Sequence, residues 1–324
     1  MTSSSPIWLV TGVAGFIAAR TAEMLLERGD QVVGVDNLND YYDVRLKEHR
    51  LQRLQQKSGF TFVGGDIEKQ TDIAGLFERY EFAAVINLAA RAGVRYSLEN
   101  PFIYLSTNGL GTLNLLELMR QQRVPKMVLA STSSLYAGQP MPFHEDLAVN
   151  TPISPYAASK KSAELYCHTY SHIYGLSILC MRLFTVVGPR QRPDLALHRF
   201  TDLIMENMPL VIYGDGTTSR DYTSVFDIID GIAVGLKYIE DKNPLFEVFN
   251  LGNSIPVSIK DLVGLIAANL DRTPNIVYEK LPKGDVLRTC ADISKAKSLL
   301  RYEPKVSLDF EVKRFIEWFK GIKK

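Results

Sequence analysis

The chain carries almost no excess charge: 37 lysines and arginines face 36 aspartates and glutamates, a formal net charge of +1. No global field draws in nucleic acid or an anionic membrane, so an anionic ligand must be held by locally placed arginines. Cysteine is scarce and odd in number. Cys167, Cys180 and Cys290 stand far apart, which argues against a disulfide frame and fits reduced, mostly buried thiols in a reducing compartment. Long apolar runs are missing too. The run that begins at Ile7 is broken by Thr11-Gly12, too early for a membrane span. Residues 1–6 have neither a basic n-region nor an h-region, so no signal peptide is expected and the location is read as cytoplasmic. Repeats, low-complexity tracts and heptad runs are absent. What remains is an ordinary soluble composition, 46% hydrophobic and 23% charged, over 324 residues. That length is large for one core and suits two domains.

Short apolar runs alternate with helical patterns through the first half. Residues 7–10, 31–35, 60–63, 83–88, 126–130 and 177–181 read as buried parallel strands. Helical stretches lie between them near 16–28, 45–56, 72–79, 104–121 and 156–174. This alternation predicts an α/β fold, a doubly wound parallel sheet of Rossmann type, with ligands at the carboxyl ends of the strands. After about Thr185 the rhythm changes: Gly188-Pro189 and Gln191-Arg192-Pro193 form a breaker-rich turn. The expected domains are therefore 1–184, binding a dinucleotide, and a smaller α/β domain at 185–324, with part of 222–252 packing back on the first.

Thr11-Gly12-Val13-Ala14-Gly15-Phe16-Ile17-Ala18 follows the first strand and opens a helix, the context that a dinucleotide loop requires. Gly12 allows the tight turn, and Gly15 lets the backbone approach a pyrophosphate at the helix N-terminus. Asp36 ends the second strand, 24 residues after Gly12. Its carboxylate would accept both ribose hydroxyls and repel a 2′-phosphate. No arginine follows directly, so NAD is favoured over NADP. Asp66-Ile67, after the third strand, is a candidate adenine contact. The full set of candidate cofactor residues is Gly12, Gly15, Phe16, Ile17, Asp36, Asn37, Asp66, Ile67, Leu88, Ala89, Ala90, Asn108, Tyr156 and Lys160.

Tyr156-Ala157-Ala158-Ser159-Lys160 puts a phenol and an ammonium on adjacent turns of one helix face. A tyrosine ordinarily ionises near pH ~10, and a neighbouring cation favours the phenolate, so Tyr156 becomes a base nearer neutrality. Thr132 lies at the end of the fifth strand within Ser131-Thr132-Ser133-Ser134. Strand end and helix N-terminus converge on one cleft, so hydroxyl and phenol can share a substrate oxygen. The expected roles are proton removal by Tyr156, relay by Thr132, and pKa lowering and ribose binding by Lys160. A solvated loop would explain the hydroxyl run alone, and a surface helix lysine would explain Lys160 alone; their joint spacing argues for hydride chemistry on an alcohol.

Arg95, Arg192 and Arg220 can each supply the planar, permanently charged fork that suits a diphosphate. The candidate substrate residues are Arg95, Ser133, Ser134, Thr185, Arg192, Tyr213, Arg220 and Asp285. His168 and His172, at i, i+4 on the Tyr156 helix, have no accompanying carboxylate motif and are read as packing residues, so no metal is expected. Trp8 and Trp318 are expected in the core.

The 11–17 loop, Thr132, Tyr156-x-x-x-Lys160 and Arg220-Asp221-Tyr222 resemble the extended short-chain dehydrogenases that act on nucleotide sugars, from about Ile7 to Asp292. Within that group the chain looks most like UDP-glucuronate 4-epimerases. The stretches 36–43, 92–101 and 184–194 carry the likeness. Ala18 and Ala137 stand where the group usually has Gly, and Val187 where it often has Tyr. The resemblance implies a retained NAD, a UDP-sugar substrate, a homodimer, and epimerisation through a 4-keto sugar with transient hydride transfer. Dehydratase relatives carry an acidic pair after the threonine and decarboxylating relatives carry Thr-Ser-Glu; here Ser133-Ser134 follows. Thr185 stands where UDP-galactose 4-epimerases typically have Asn. The other readings are a UDP-glucose/UDP-galactose or N-acetyl-sugar 4-epimerase, a UDP-glucuronate decarboxylase or a dehydratase, and a non-catalytic NAD-binding scaffold.

Overall fold

A computed structural model describes residues 5–280 and 286–323. Its strands are β1 (Ile7–Thr11), β2 (Gln31–Asp36), β3 (Phe60–Gly64), β4 (Phe82–Asn87), β5 (Lys126–Thr132), β6 (Ser177–Leu183), β7 (Thr185–Val187), β8 (Leu210–Tyr213), β9 (Ser219–Ser224), β10 (Leu245–Leu251), β11 (Pro256–Ser258) and β12 (Ile276–Glu279). Its helices are α1 (Phe16–Glu27), α2 (Val44–Gln55), α3 (Gln70–Arg79), α4 (Val94–Glu99), α5 (Pro101–Tyr104), α6 (Gly111–Gln122), α7 (Pro155–Tyr174), α8 (Ala196–Met205), α9 (Val225–Ile239), α10 (Ile259–Leu270) and α11 (Leu308–Ile322). A π-helical turn, Leu105–Leu110, joins α5 to α6, and a 3-10 turn, Ser133–Tyr136, follows β5.

The contacts divide the chain into two units: Met1–Ala137, Ala148–Arg182 and Ile229–Phe249 form one; Gly138–Leu147, Leu183–Ile228 and Asn250–Lys324 form the other. The first is built on a seven-stranded sheet in the order β10-β6-β5-β4-β1-β2-β3. β1 pairs in parallel with β2 and β4, β2 with β3, and β4 with β5. This is the doubly wound α/β arrangement. The strand order reverses between β1 and β4, which opens a crevice above their carboxyl ends. Leu9, Val33, Val85 and Met127 of the strands are buried with Leu115 and Met119 of α6 and Ala163 and Cys167 of α7. Near-continuous apolar strands are what a sheet covered on both faces requires.

The segment at 138–147, which the sequence reading kept within 1–184, clusters with the second unit. Phe143 explains why: its N–H donates to the Cys290 carbonyl at 2.8 Å, and its carbonyl accepts from Asp292 N at 2.8 Å. The second unit holds a three-stranded sheet, β11-β9-β7, and a two-stranded parallel pair, β12-β8. Its core gathers Phe200, Ile212, Leu262, Ile266, Phe315 and Phe319. Of the two tryptophans, Trp318 packs against this core. Both are half-buried, and the Trp8 indole N–H stays near polar surroundings to donate to Asp30 at 3.1 Å. Among the described residues, no helix is long and apolar enough to cross a membrane.

Candidate active site

The 11–17 loop closes tightly onto the end of β4. Gly12 has φ +68°, and a Cβ there would lie 2.7 Å from Ala89 Cα. Gly15 N donates to Gly12 O at 2.7 Å, and a Cβ on Gly15 would meet that same carbonyl. Both glycines are thus fixed by close backbone approach. α1 then starts with no side-chain cap and no acidic residue in its first turn. Its leading N–H groups and positive dipole end are left uncompensated by the chain, which suits a pyrophosphate. Ala18 is buried against the sheet, as close helix–strand packing demands.

Asp36 stands at the carboxyl end of β2, buried. It accepts from Ala14 N at 3.0 Å and Leu38 N at 2.8 Å. Burial pushes its pKa up, while these N–H groups and the Lys47 and Arg50 charges pull it down. Arg50 is itself buried and donates to Ala14 O at 3.0 Å and to the Tyr42 hydroxyl at 2.6 Å. The two α2 cations were missed in the sequence, where helical charge pairs usually signal a solvated face. Asn37 Nδ2 donates to Asp66 Oδ2 at 2.8 Å, joining the ends of β2 and β3. Ile67 is buried against Gly111.

A buried polar chain runs from β1 to α7. Thr11 Oγ1 donates to Asn87 Oδ1 at 2.7 Å and accepts from Ala89 N at 3.2 Å. Asn87 Nδ2 donates to Thr112 Oγ1 at 3.1 Å, and Thr112 donates to Asn108 O at 2.7 Å. Asn108, in the π-helical turn, accepts from Arg91 N and donates to Arg91 O, each at 3.0 Å, and donates to Ser159 Oγ at 2.9 Å. Ser159 Oγ in turn donates to Tyr156 O at 2.8 Å. The 88–91 segment and the start of α7 are therefore held by one asparagine.

α7 begins sharply because Ser154 caps it, accepting from Ala157 N at 3.2 Å, and Pro155 occupies the first turn. Tyr156 is half-buried, with the Tyr104 ring edge-on at 5.9 Å. Lys160 is 3% exposed, and its Nζ donates to Ala130 O at 2.8 Å. Burial lowers its pKa from 10.5 to about 8. The ammonium thus anchors to the strand two residues ahead of Thr132. Thr132, buried, accepts from Ser134 N at 3.1 Å, which starts the 3-10 turn bearing Ser133 and Ser134. α7 packs on both β5 and that turn. Arg95 is exposed on α4, which also packs on α7.

In the second unit Thr185 pairs with Tyr222 across β7 and β9. Arg220, two residues earlier in β9, is half-buried and donates to Ser219 O at 3.0 Å. Asp221 beside it is fully buried and accepts from Asn253, Ser254 and Ala291 N–H groups at 2.7, 2.9 and 2.9 Å. Arg192 forks onto Asp194 at 3.0 and 2.6 Å, a local pairing that the spacing in sequence did not suggest. Tyr213 ends β8, half-buried. Asp285 lies outside the described residues. His168 and His172 stack at 6.4 Å, and His168 packs edge-on against Phe246 at 5.1 Å. Among the described residues no group of three or more His, Cys, Asp or Glu could hold a metal ion.

Residues 9–315 match the profile of the family described as GDP-mannose 4,6 dehydratase. The chain is 51% identical over 315 residues to a UDP-glucuronate 4-epimerase of Thermodesulfobacterium geofontis (strain OPF15), covering 97% of this chain and 96% of that one. It is 41% identical to UDP-glucuronate 4-epimerase 2 of Arabidopsis thaliana, covering 97% of this chain and 75% of that one. Among solved structures it resembles UDP-glucuronic acid 4-epimerase from Bacillus cereus in complex with UDP-glucuronic acid and NAD, at TM-score 0.92 and 36% identity over 98% and 99% of the two chains. It also resembles UDP-glucose 4-epimerase from Thermotoga maritima with UDP-glucose, at TM-score 0.89 and 31% identity over 98% and 100%.

Proposed function

This chain belongs to the GDP-mannose 4,6 dehydratase family, of short-chain dehydrogenase type, and we propose that it is an NAD-dependent isomerase that converts UDP-glucuronate to UDP-galacturonate. The observation that carries the reading is Lys160 buried one turn beyond Tyr156 and tied to the strand that ends in Thr132. A lysine at that depth is placed to present its charge to the phenol and to a bound ribose. The relative at 51% identity bears the epimerase name, and the Bacillus cereus structure holds both UDP-glucuronic acid and NAD.

Gly12, Gly15, Phe16 and Ile17 would hold the pyrophosphate of NAD, Asp36 and Asn37 the adenine-side ribose, Asp66 and Ile67 the adenine. Leu88, Ala89, Ala90 and Asn108 would line the nicotinamide side, with Tyr156 and Lys160. Bound NAD supplies a hydride acceptor for the sugar C4 and, once reduced, a hydride donor, so no net oxidation results. Tyr156 takes the proton of the 4-hydroxyl and returns it, and Thr132 relays or orients it. With its pKa at about 8, Lys160 stays mostly protonated near neutrality and stabilises the phenolate.

The keto sugar formed from glucuronate is a β-keto acid, prone to lose CO₂ when its carboxylate aligns with the ketone. Ser133, Ser134 and Thr185 are assigned to hold the carboxylate out of alignment by neutral hydrogen bonds. No acid stands at 133 or 134 to protonate a leaving hydroxyl, which weighs against dehydration. Arg95, Arg192, Arg220, Tyr213 and Asp285 are assigned to the uridine diphosphate. A homodimer is proposed on the exposed apolar side chains of one helical region, Phe102 at 84% exposure with Leu105 and Leu165. A cytoplasmic location is proposed on the three free cysteines.

Incubation with UDP-glucuronate, followed by NMR, tests the reading. A galacturonate product is expected. A pentose product would mean decarboxylation, and no turnover of any UDP-sugar would leave a binding scaffold. The UDP-glucose reading is favoured by the Thermotoga maritima likeness; it predicts faster turnover of UDP-glucose than of UDP-glucuronate under equal conditions. Tyr156→Phe should abolish turnover while NAD stays bound.

A further inference from the structure

Three consecutive residues at the end of β5 are each tied down. The Ala130 carbonyl accepts from Lys160 Nζ at 2.8 Å, Ser131 Oγ donates to Glu164 Oε1 at 2.6 Å, and Thr132 Oγ1 accepts from Ser134 N at 3.1 Å. Lys160 and Glu164 are four residues apart, on one face of α7. Glu164 is as buried as Lys160. It receives a fork from Arg182 of β6: Nε donates to Oε1 at 2.9 Å and Nη2 to Oε2 at 2.8 Å. Arg182 Nη1 also donates to the Tyr136 hydroxyl at 2.8 Å, and its guanidinium lies 4.9 Å from that ring's centre. Tyr136 closes the 3-10 turn that carries Ser133 and Ser134. One buried ion pair therefore joins the lysine's helix, the threonine's strand, the next strand and the serine turn.

A buried ion pair is a weak stabilising device, since apolar side chains of similar volume often serve as well or better. Its distinct use is the charge and geometry that it presents. We propose that Glu164, clamped by Arg182, is a positioning residue for the proton relay: it keeps the Lys160 ammonium charged beside Tyr156 and sets the register of α7 against the Thr132 strand end. The inference rests on the epimerase reading.

The groups facing Lys160 are few. Glu164 and Cys167 come from its own helix and Cys180 from β6. The π-helical turn packed on α7 has no ionisable side chain, and α5 contributes only Tyr104, against Tyr156. The ionisable residues of α4 and α6 (Arg95, Tyr96, Glu99, Glu117, Arg120) are none of them buried. Lys161 approaches Glu164 from the outer side at 3.7 Å. Burial drives Lys160 towards neutrality, and the Glu164 carboxylate is the foremost opposing influence.

Measuring kcat/KM for UDP-glucuronate against pH, with NAD bound, tests the proposal. The alkaline limb reports the loss of the Lys160 proton in the free enzyme. Glu164→Gln should move that limb to lower pH by about one unit. Glu164→Asp keeps the charge but cannot reach both Ser131 and Arg182; its limb should stay in place while kcat falls several-fold. A merely structural residue would lower the unfolding midpoint in both variants and move neither limb. Should Glu164→Gln fail to fold, the pair Glu164→Gln with Arg182→Met leaves no orphan charge and should also shift the limb downward. An unmoved limb in a folded, active variant overturns the inference. Failure of the unmodified enzyme to epimerise UDP-glucuronate would overturn the epimerase reading instead.

Discussion

Lys160 has consequences for stability as well as for chemistry. Its pKa falls from 10.5 to about 8 because burial disfavours the charged form. Between those two values the unfolded chain binds a proton that the folded protein has released, so this group makes stability rise with pH across that window. Below it, both states are protonated and the cost of burying the charge is fully present. Lys160→Met should therefore be more stable than the unmodified protein near neutral pH, with the gap narrowing towards pH ~10; urea unfolding of both proteins at the two ends of the window reads it. The buried Cys180 thiol titrates in the opposite sense but is common to both proteins. At the dinucleotide loop, Gly12→Ala sets a Cβ against Ala89 in a left-handed backbone conformation, and should weaken NAD binding at least tenfold by titration. Gly75→Ala, in α3 with open space around it, should instead stabilise by about 0.5–1 kcal/mol. The burial of Lys160 and the close backbone approach at Gly12 and Gly15 agree with what spacing taken together with the neighbouring motifs led one to expect. Glu164 was overlooked: a carboxylate at i+4 from a lysine usually marks a solvated pair. Arg182, a lone cation in an otherwise apolar strand, was the better clue to a buried partner.

The first six strands and most helices follow from period and breakers, since buried parallel strands and amphipathic crossovers leave strong patterns. The stretch read as one helix at 104–121 is different. It is α5, a π-helical turn and α6 in succession. A single i→i+5 turn shifts the following pattern by one residue, too little for periodicity to detect. That turn is where Asn108 bonds Arg91 and Ser159. Asn108→Ala would leave the Arg91 backbone groups and Ser159 without these partners. It should cost about 1–3 kcal/mol in urea unfolding and slow turnover. Leu115→Ala, in the fully buried face of α6, should cost about 2–5 kcal/mol without touching the polar chain.

The sequence was read as two parts from the change of rhythm near Thr185, with part of 222–252 returning to the first, and residues 229–249 do cluster with the first unit. Residues 138–147 were not foreseen in the second unit, because contacts between distant segments have no local signature. At this scale the exposed Phe102 makes the proposed homodimer testable: Phe102→Glu should give a monomer by light scattering where the unmodified protein gives a dimer, with unchanged far-ultraviolet circular dichroism. The placement of β10 beside β6 matters before the protein is finished. On the ribosome, strands one to six can be laid down in order, yet the flank of β6 stays uncovered until Leu251 has been translated and cleared the exit tunnel. Throughout that interval the nascent sheet offers a bare row of amides and carbonyls to any neighbouring nascent chain. Slow codons or a stall between Leu183 and Leu245 would therefore prolong the most vulnerable stage of its biogenesis.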